Sequence, residues 1–364
     1  MKKTLGNVYT HSAWLYGTLV LSWFALRILF GEDIWWLVLL NTMTPYLFVP
    51  LFPLLLLIPL RGLAASFWPI APILLIFVSL YGRQFIPPLR ALTAGDHDLT
   101  VMSFNIWAGS RTQATAAVIA DNGWPDIVAI QELMPAMVPI LNEVIGQAYP
   151  YQVLAVSDYA LGMGILSRYP AMALDISPFV EQAGQVQIAR IFSPGGVVVV
   201  YNIHLQCIPL LHAWQAGLPL AAEVRLNAQQ RLTFVQTLLA DIEQRGEPVI
   251  VVGDFNSTDQ SDIYQQLTRH LMDAHRVAGW GFGHTFPAAS ASFREIPLFA
   301  HFSPLASDPD RLHIWYAYTF KPTQLLRIDM IFYSSALMAV QSRVSEWHGD
   351  ADHLPVLATL RWTQ

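Results

Sequence analysis

The stretch Val249-Ile250-Val251-Val252-Gly253-Asp254-Phe255-Asn256-Ser257 decides how the chain folds. Four β-branched residues in succession read as a buried strand, Gly253 ends it, and Asp254 and Asn256 stand two apart on the turn beyond. A carboxylate and an amide are thereby delivered to the mouth of a sheet. In isolation, Gly-Asp-x-Asn is an ordinary strand exit whose side chains hydrogen-bond their own backbone. Its meaning rests on its surroundings.

Outward from this stretch, short apolar strands alternate with helical segments, and the strand ends carry polar residues each time. Leu99 to Phe104 delivers Asn105, Asp126 to Ile130 delivers Gln131 and Glu132, and the β-branched run Gly196 to Ile203 delivers His204. Gly162 to Ser167 reads as a further strand. Arg327 to Tyr333 carries Asp329, and Asp352-His353 precedes a closing strand, Val356 to Leu360. Thr112 to Asn122, Pro135 to Ile145 and Asp262 to Leu271 have helical composition. Glu223 to Arg245 has helical spacing of Leu226, Leu232, Val235, Leu238, Leu239 and Ile242, and Gly246 ends it.

Asn105, Glu132, His204, Asp254, Asn256, Asp329, Asp352 and His353 therefore gather at or next to strand ends. Carboxylates and amides with two histidines suit a hard divalent cation, Mg²⁺ or Mn²⁺, because oxygen ligands dominate and no thiolates are offered for zinc. The single cysteine, Cys207, excludes an internal disulfide.

The N-terminal part is different in kind. Of 364 residues, the first 81 are mostly hydrophobic, with Ala13 to Phe30, Ile34 to Leu60 and Leu63 to Tyr81 forming three apolar runs long enough to cross a bilayer. The spacing predicts three transmembrane helices, at about 12–30, 34–60 and 63–81. Three runs in succession, with no small-residue cleavage site after the first, argue against a secretory signal peptide. Pro45, Pro50, Pro53, Pro69 and Pro72 are tolerated where neighbouring helices re-satisfy the backbone. Lys2, Lys3 and Arg61 fall on one side of such a bundle and Glu32 and Asp33 on the other, which puts the N-terminus in the cytoplasm and the rest of the chain outside; Arg83 and Arg90 run against this tendency. Residues 82–98, with Pro87, Pro88 and Gly95, read as a short juxtamembrane linker. Residues 99–364 form the second domain.

Counted from Asp96, 14 Lys and Arg face 24 Asp and Glu, a formal net charge of −10 with histidines neutral. A protein that grips duplex DNA neutralises several phosphates with clustered basic residues. No such cluster is present, so nucleic acid is disfavoured as a partner.

Ser103-Phe104-Asn105, Ala129-Ile130-Gln131-Glu132, Gly164 to Pro170, Asn202-Ile203-His204-Leu205, Gly253 to Asn256, Arg327-Ile328-Asp329 and Asp352-His353-Leu354-Pro355 resemble, in order, the motifs of the endonuclease/exonuclease/phosphatase superfamily, deoxyribonuclease I-like. The resemblance covers Leu99 to Leu360. It implies an α/β fold, a four-layer sandwich of two facing mixed sheets flanked by helices, here preceded by the transmembrane region. It also implies Mg²⁺-dependent hydrolysis of a phosphoester or phosphoanhydride. By the same resemblance Glu132 is the main metal ligand, with Asn105 beside it and Asp352 completing the shell. Asp254 positions or activates the attacking water, and Asn256 holds a phosphate oxygen. His353, oriented by Asp329, acts as base or charged stabiliser, and His204 binds phosphate or protonates the leaving oxygen. Some nucleases of the family carry an acidic residue where this chain has Trp107, so a second metal position is not implied.

The membrane region, the acidity of the domain and an apolar insertion after His204, Cys207 to Ala222, point the substrate expectation to a membrane lipid phosphate. Trp214 within that insertion and Trp107 are candidate substrate contacts. A second aromatic-rich segment runs from Phe282 to Phe302. Spans followed by a domain of this type resemble the membrane-anchored phosphatases linked to glycopeptide resistance, which act on polyprenyl-phosphate carriers. The alternatives are a phosphodiesterase of the sphingomyelinase type, a tethered nuclease and a non-catalytic binding protein. The expectation is a multi-pass membrane hydrolase with its catalytic domain outside the cytoplasm.

Overall fold

The computed structural model describes residues 2–60, 63–87, 95, 97–108, 112–288 and 324–363. Twelve strands among them form two mixed six-stranded sheets. In the first sheet the order is β11 (Leu337–Val344), β12 (Val356–Trp362), β1 (Leu99–Asn105), β2 (Ile127–Gln131), β4 (Met163–Ser167) and β3 (Tyr151–Ala155). In the second it is β5 (Ala171–Ala173), β6 (Gly184–Ser193), β7 (Gly196–Leu205), β8 (Val249–Asp254), β10 (Asp329–Tyr333) and β9 (Met272–Asp273). Only β1 with β2 and β7 with β8 run parallel. Both parallel pairs are central, where strands buried on both faces read as continuous apolar runs.

The sheets face each other through Val101, Ile127, Ala129, Val198, Val200, Ile250 and Val252, all fully buried. Helices cover both outer faces. α6 (Thr112–Asp121) and α7 (Met137–Ile145) lie on the first sheet, and α9 (Leu220–Arg245) and α10 (Asp262–Thr268) on the second, so the four-layer sandwich expected from the sequence is what forms. α9 stops at Gly246, whose φ of 63° closes the helix in the left-handed region. Between α9 and β7 the apolar insertion forms the short α8 (Leu210–Gln215), and α11 (Ala274–Ala278) follows β9.

The N-terminal region is helical, as its composition predicts. α1 (Lys2–Phe30) and α5 (Leu63–Tyr81) are joined by α2 (Trp35–Thr42), α3 (Thr44–Leu47) and α4 (Leu51–Leu56). Two helices, Gly6–Phe30 and Phe67–Phe85, are long and apolar enough to cross a membrane. The run read as one continuous segment over 34–60 is instead broken: Trp35–Thr42 and Thr44–Leu56 meet at 80°, and count as a third span only if the bent pair is one. Pro45, in the first turn after the break, supplies the physical reason, since it lacks a backbone donor and crowds the preceding turn.

α2 turns aside to pack Trp35 and Val38 on Val224, Ala228, Ile208 and Leu220 of the second domain. The start of the predicted linker is also docked. Gln84 Nε2 donates to Asp259 Oδ2 at 3.2 Å, and the Gly281 amide donates to the Gln84 carbonyl at 2.7 Å.

Candidate active site

Strand register assembles the site. On three neighbouring strands of the second sheet His204 lies opposite Asp254, and Asp254 opposite Asp329, so the three side chains leave the same face at the same level. Gly253 makes the approach possible. Its φ is 145°, and a Cβ there would collide with the Ile203 carbonyl of β7. In the first sheet Asn105 pairs with Gln131, and Glu132 follows at φ 64°.

Non-glycine residues at positive φ persist only where their surroundings hold them. Among the described residues there are four, Trp107, Trp124, Glu132 and Asn256, and three of these belong to the expected site. Glu132 is held by the Ala108 amide, which donates to its Oε2 at 3.0 Å. The Trp107 amide donates to Asn105 Oδ1 at 3.0 Å, and the Asn256 amide to Asp254 Oδ1 at 2.8 Å.

Asn105 ties the sheets together. Its Nδ2 donates to Glu132 Oε1 at 3.0 Å and to Asp254 Oδ2 at 3.1 Å. His204 Nε2 lies 3.7 Å from Asp254 Oδ2 and 3.9 Å from Glu132 Oε1. His353 Nε2 lies 3.7 Å from Asp254 Oδ2 and 3.9 Å from Asp352 Oδ1, and its Nδ1 is 2.8 Å from Asp329 Oδ2. All eight polar residues expected at the strand ends thus meet in one cleft. Trp107 borders it through Asn105, whereas Trp214 stands on α8, 70% exposed, with no hydrogen bond to the cluster. The aromatic segment read over 282–302 lies outside the described residues from 289 onward.

Electrostatics separate the two central groups. Burial pushes the Asp254 carboxyl up to about 6, with Asp329 adding to the rise and His353 opposing it. Burial alone would depress His353, yet the carboxylates of Asp329 and Asp254 outweigh it and hold the imidazole up at about 10. At neutral pH the pair is a carboxylate beside an imidazolium. Burial also raises the Asp352 carboxyl.

The donors fit a hard cation. Asp352 Oδ1 and Asp329 Oδ1 are buried acceptors with no hydrogen-bond donor among the described residues, an arrangement that costs free energy unless a positive charge meets it. Ligand atoms of Asp254, Asp329 and His353 lie within 4.8 Å of one another. In that trio, however, His353 is already committed to Asp329 as an ion pair, which leaves Glu132, Asn105 and Asp352 as the more open set.

Three further side chains support the site. Arg231 on α9, 2% exposed, donates Nη1 to the Asn256 carbonyl and to Ser257 Oγ, each at 2.7 Å. Its signal was present in the sequence, since it continues the buried stripe Val224, Ala228, Val235 and Leu238 at helical spacing. Thr285 Oγ1 accepts from the Asp329 amide at 3.3 Å, and the Phe286 ring packs 4.8 Å from that of His353. Neither had a signal, because both lie more than 40 residues before the groups they serve.

A family model described as "Endonuclease/Exonuclease/phosphatase family" matches residues 102–353. The chain belongs to this family. Its members are divalent-metal-dependent phosphoester hydrolases. The endonuclease/exonuclease/phosphatase protein of Bacteroides vulgatus is similar in structure, with 18% identity and a TM-score of 0.51 over 73% of this chain and 99% of that one. D. rerio TDP2, in complex with a single-strand DNA product, is similar at 17% identity and a TM-score of 0.50 over 73% and 100%. At these identities the likeness is one of fold alone. No curated protein matches the chain. The matched region leaves out the N-terminal helices, so the family accounts for the sandwich and its cleft and not for the membrane-type region.

Proposed function

We propose that the chain is a membrane-anchored, divalent-metal-dependent phosphohydrolase that cleaves a phosphoester or pyrophosphate bond in the head group of a membrane lipid, a polyprenyl-phosphate carrier or a phospholipid, at the outer face of the cell membrane. The observation that carries this reading is that the segment directly after the turn bearing Asn256 is hydrogen-bonded to the membrane-type helices. Arg27 Nη2 donates to the Gln260 carbonyl at 3.3 Å, Thr258 Oγ1 to the Asn41 carbonyl at 3.4 Å, and the Glu32 amide to Asp262 Oδ2 at 2.8 Å. A cleft fastened in this way opens close to the lipid surface. The insertion after His204 is seated on α2 by Ile208 and Leu220 and leaves Trp214 exposed, which suits contact with a bilayer.

A cation, Mg²⁺ or Mn²⁺, held by Glu132, Asn105 and Asp352 would neutralise phosphoryl oxygens and oppose the charge that builds up in phosphoryl transfer. The other roles belong to the side chains. Asp254, ionised at neutral pH, accepts a proton from the attacking water. Asn256 keeps that carboxylate turned into the cleft through its amide and its Nδ2, which lies 3.2 Å from Asp254 Oδ2. His353, charged and backed by Asp329, presents Nε2–H to a phosphoryl oxygen, and His204 meets the leaving oxygen from the opposite side.

The orientation of the helices supports the outward placement. Tyr16 Oη donates to the Leu47 carbonyl and Tyr9 Oη to that of Leu54, so the chain descends beside α1 after ascending through it. α5 then ascends again, and its Leu80 carbonyl accepts from Arg276 of the catalytic domain. Two helices that both point at the domain put the N-terminus, with Lys2 and Lys3, on the opposite face.

The test is phosphate release by the full-length protein in detergent micelles, with Mg²⁺ or EDTA, from polyprenyl pyrophosphate, phosphatidic acid, a phosphoinositide and sphingomyelin, beside plasmid nicking, each repeated with Asp254→Ala. Metal-dependent turnover of a lipid that the variant lacks supports the proposal. Choline-phosphate release from sphingomyelin alone would make the enzyme a phosphodiesterase, and nicking with every lipid untouched would make it a tethered nuclease.

A further inference from the structure

A cleft of about 430 Å³ lies at the junction of the membrane-type helices and the catalytic domain, lined by Phe24, Arg27 and Ile28 of α1, Leu80 of α5, and Gln265 and Arg269 of α10 and its C-terminal end. Part of its lining is apolar and continues onto Ile28 and Leu29, which are 68% and 71% exposed on the outer surface of α1. The guanidinium groups of Arg27 and Arg269 also line the cleft; neither makes a direct ion pair among the described residues, although Arg27 lies within the electrostatic reach of Asp259, Asp262 and Glu32.

Each arginine has donors to spare. Arg27 gives one bond to the Gln260 carbonyl and lies over the Trp23 ring at 5.7 Å, and Arg269 has no side-chain hydrogen bond among the described residues. The carboxylate in the wall, Asp262, is engaged by the Glu32 amide. The cleft shares no residue with the catalytic cluster.

We infer that this cleft binds the head-group phosphate of an anionic phospholipid, with the acyl chains lying against Ile28 and Leu29. A planar guanidinium matches a phosphate in geometry and charge, and a basic pocket at the end of an apolar helix is where a head group arrives when its chains follow the helix. Such a lipid bridges α1 to α10, six residues beyond the Asn256 turn. It stabilises the docking of the domain without being the substrate. The inference rests on the membrane-anchored part of the proposed function and not on the identity of the substrate.

The experiment is thermal unfolding of the full-length protein in dodecyl maltoside, with phosphatidylglycerol, phosphatidylcholine or inorganic phosphate added, for the wild type, Arg269→Glu, Arg269→Lys and Asp254→Asn. A ligand that binds only the folded state raises the midpoint in proportion to its occupancy. Phosphatidylglycerol is expected to raise the wild-type and Asp254→Asn midpoints by about 3 °C or more. Arg269→Lys retains part of that rise and Arg269→Glu loses it. Because Arg269 is exposed, both variants fold. An equal rise with phosphatidylcholine, an equal rise in Arg269→Glu, or saturation by inorganic phosphate alone would overturn the inference. Extraction of the protein from cell membranes by alkaline carbonate without detergent would instead remove the membrane reading itself.

Discussion

Arg231, buried on α9, donates Nη1 to the backbone carbonyl of Asn256 at 2.7 Å. The same nitrogen reaches Ser257 Oγ at 2.7 Å, so one guanidinium fixes the left-handed turn that aims Asp254 into the cleft. Arg231→Met should leave the carbonyl without its donor and lower unfolding free energy by about 2–4 kcal/mol. Arg231→Lys, which keeps the charge but not the fork, should fold better while kcat falls more than KM changes. Denaturant melts and steady-state kinetics on both variants check this, and an unchanged kcat in a folded Arg231→Lys would refute the positioning role.

The turn at 253–257 was legible because a continuous β-branched run needs no partner to be recognised, and the same holds for β7 and for the stripe on α9. Among what escaped, beside the interior strand β6, were strands whose pattern depends on neighbours. β3 and β5 are short edge strands with exposed side chains, and an edge needs little apolar alternation. β11 has a register shift between Ala339 and Gln341 that breaks its alternation. The break in the second apolar run has a related cause. Its prolines were visible, but the surface that receives α2, Val224 and Ala228, lies some 190 residues away along the chain. In the site, residue types at strand ends were legible, whereas the tie from Asn105 to both Glu132 and Asp254 exists only once the two sheets face each other.

Asp329→Asn tests the origin of the His353 charge. The folded imidazole sits at about 10, above its ordinary 6.5, so it contributes stability that is full below about pH 6.5 and is lost as pH rises through about 10. In EDTA the wild type should therefore lose stability between pH 7 and 10. Asp329→Asn should show a flatter profile and a kcat lower by about 10²–10⁴. Equal slopes for the two proteins would mean that Asp329 does not set the charge.

Removing metal should abolish turnover, and Mg²⁺ should restore it. Glu132→Gln keeps the shape of the side chain but not its charge, so the Mg²⁺ concentration giving half activity should rise by about 10- to 100-fold. Asn105→Ala should show a similar rise together with a loss of stability, because Asn105 also bridges the sheets. Metal titrations of activity distinguish the two variants from Asp254→Ala, which no Mg²⁺ concentration rescues.

Glu32, in the turn between α1 and α2, is buried, and burial pushes its carboxyl up to about 7, with Arg231 pulling the other way. A carboxyl raised above its unfolded value of 4.5 binds its proton more tightly when folded. Its stabilising contribution is full below about pH 4.5 and is lost as pH rises through about 7, an effect on the order of 3 kcal/mol at most. Glu32→Gln should remove that dependence, so its thermal midpoint should exceed that of the wild type at pH 8 and approach it at pH 5. A parallel pH dependence in the two proteins would assign the effect elsewhere.

The sole cysteine offers a direct test of which face the domain occupies. Cys207 is three residues beyond His204 and exposed on the catalytic domain, although its thiol is pushed up by burial and will react slowly. A membrane-impermeant maleimide added to intact cells should label the wild type, and should label Asn7→Cys in a Cys207→Ser background only after the membrane is opened. The two results together require an odd number of crossings, because α1 and α5 approach the domain from the same direction. Labelling of both positions from outside would require an even number, which the parallel course of α1 and α5 does not allow, and would overturn the membrane-spanning reading of these helices.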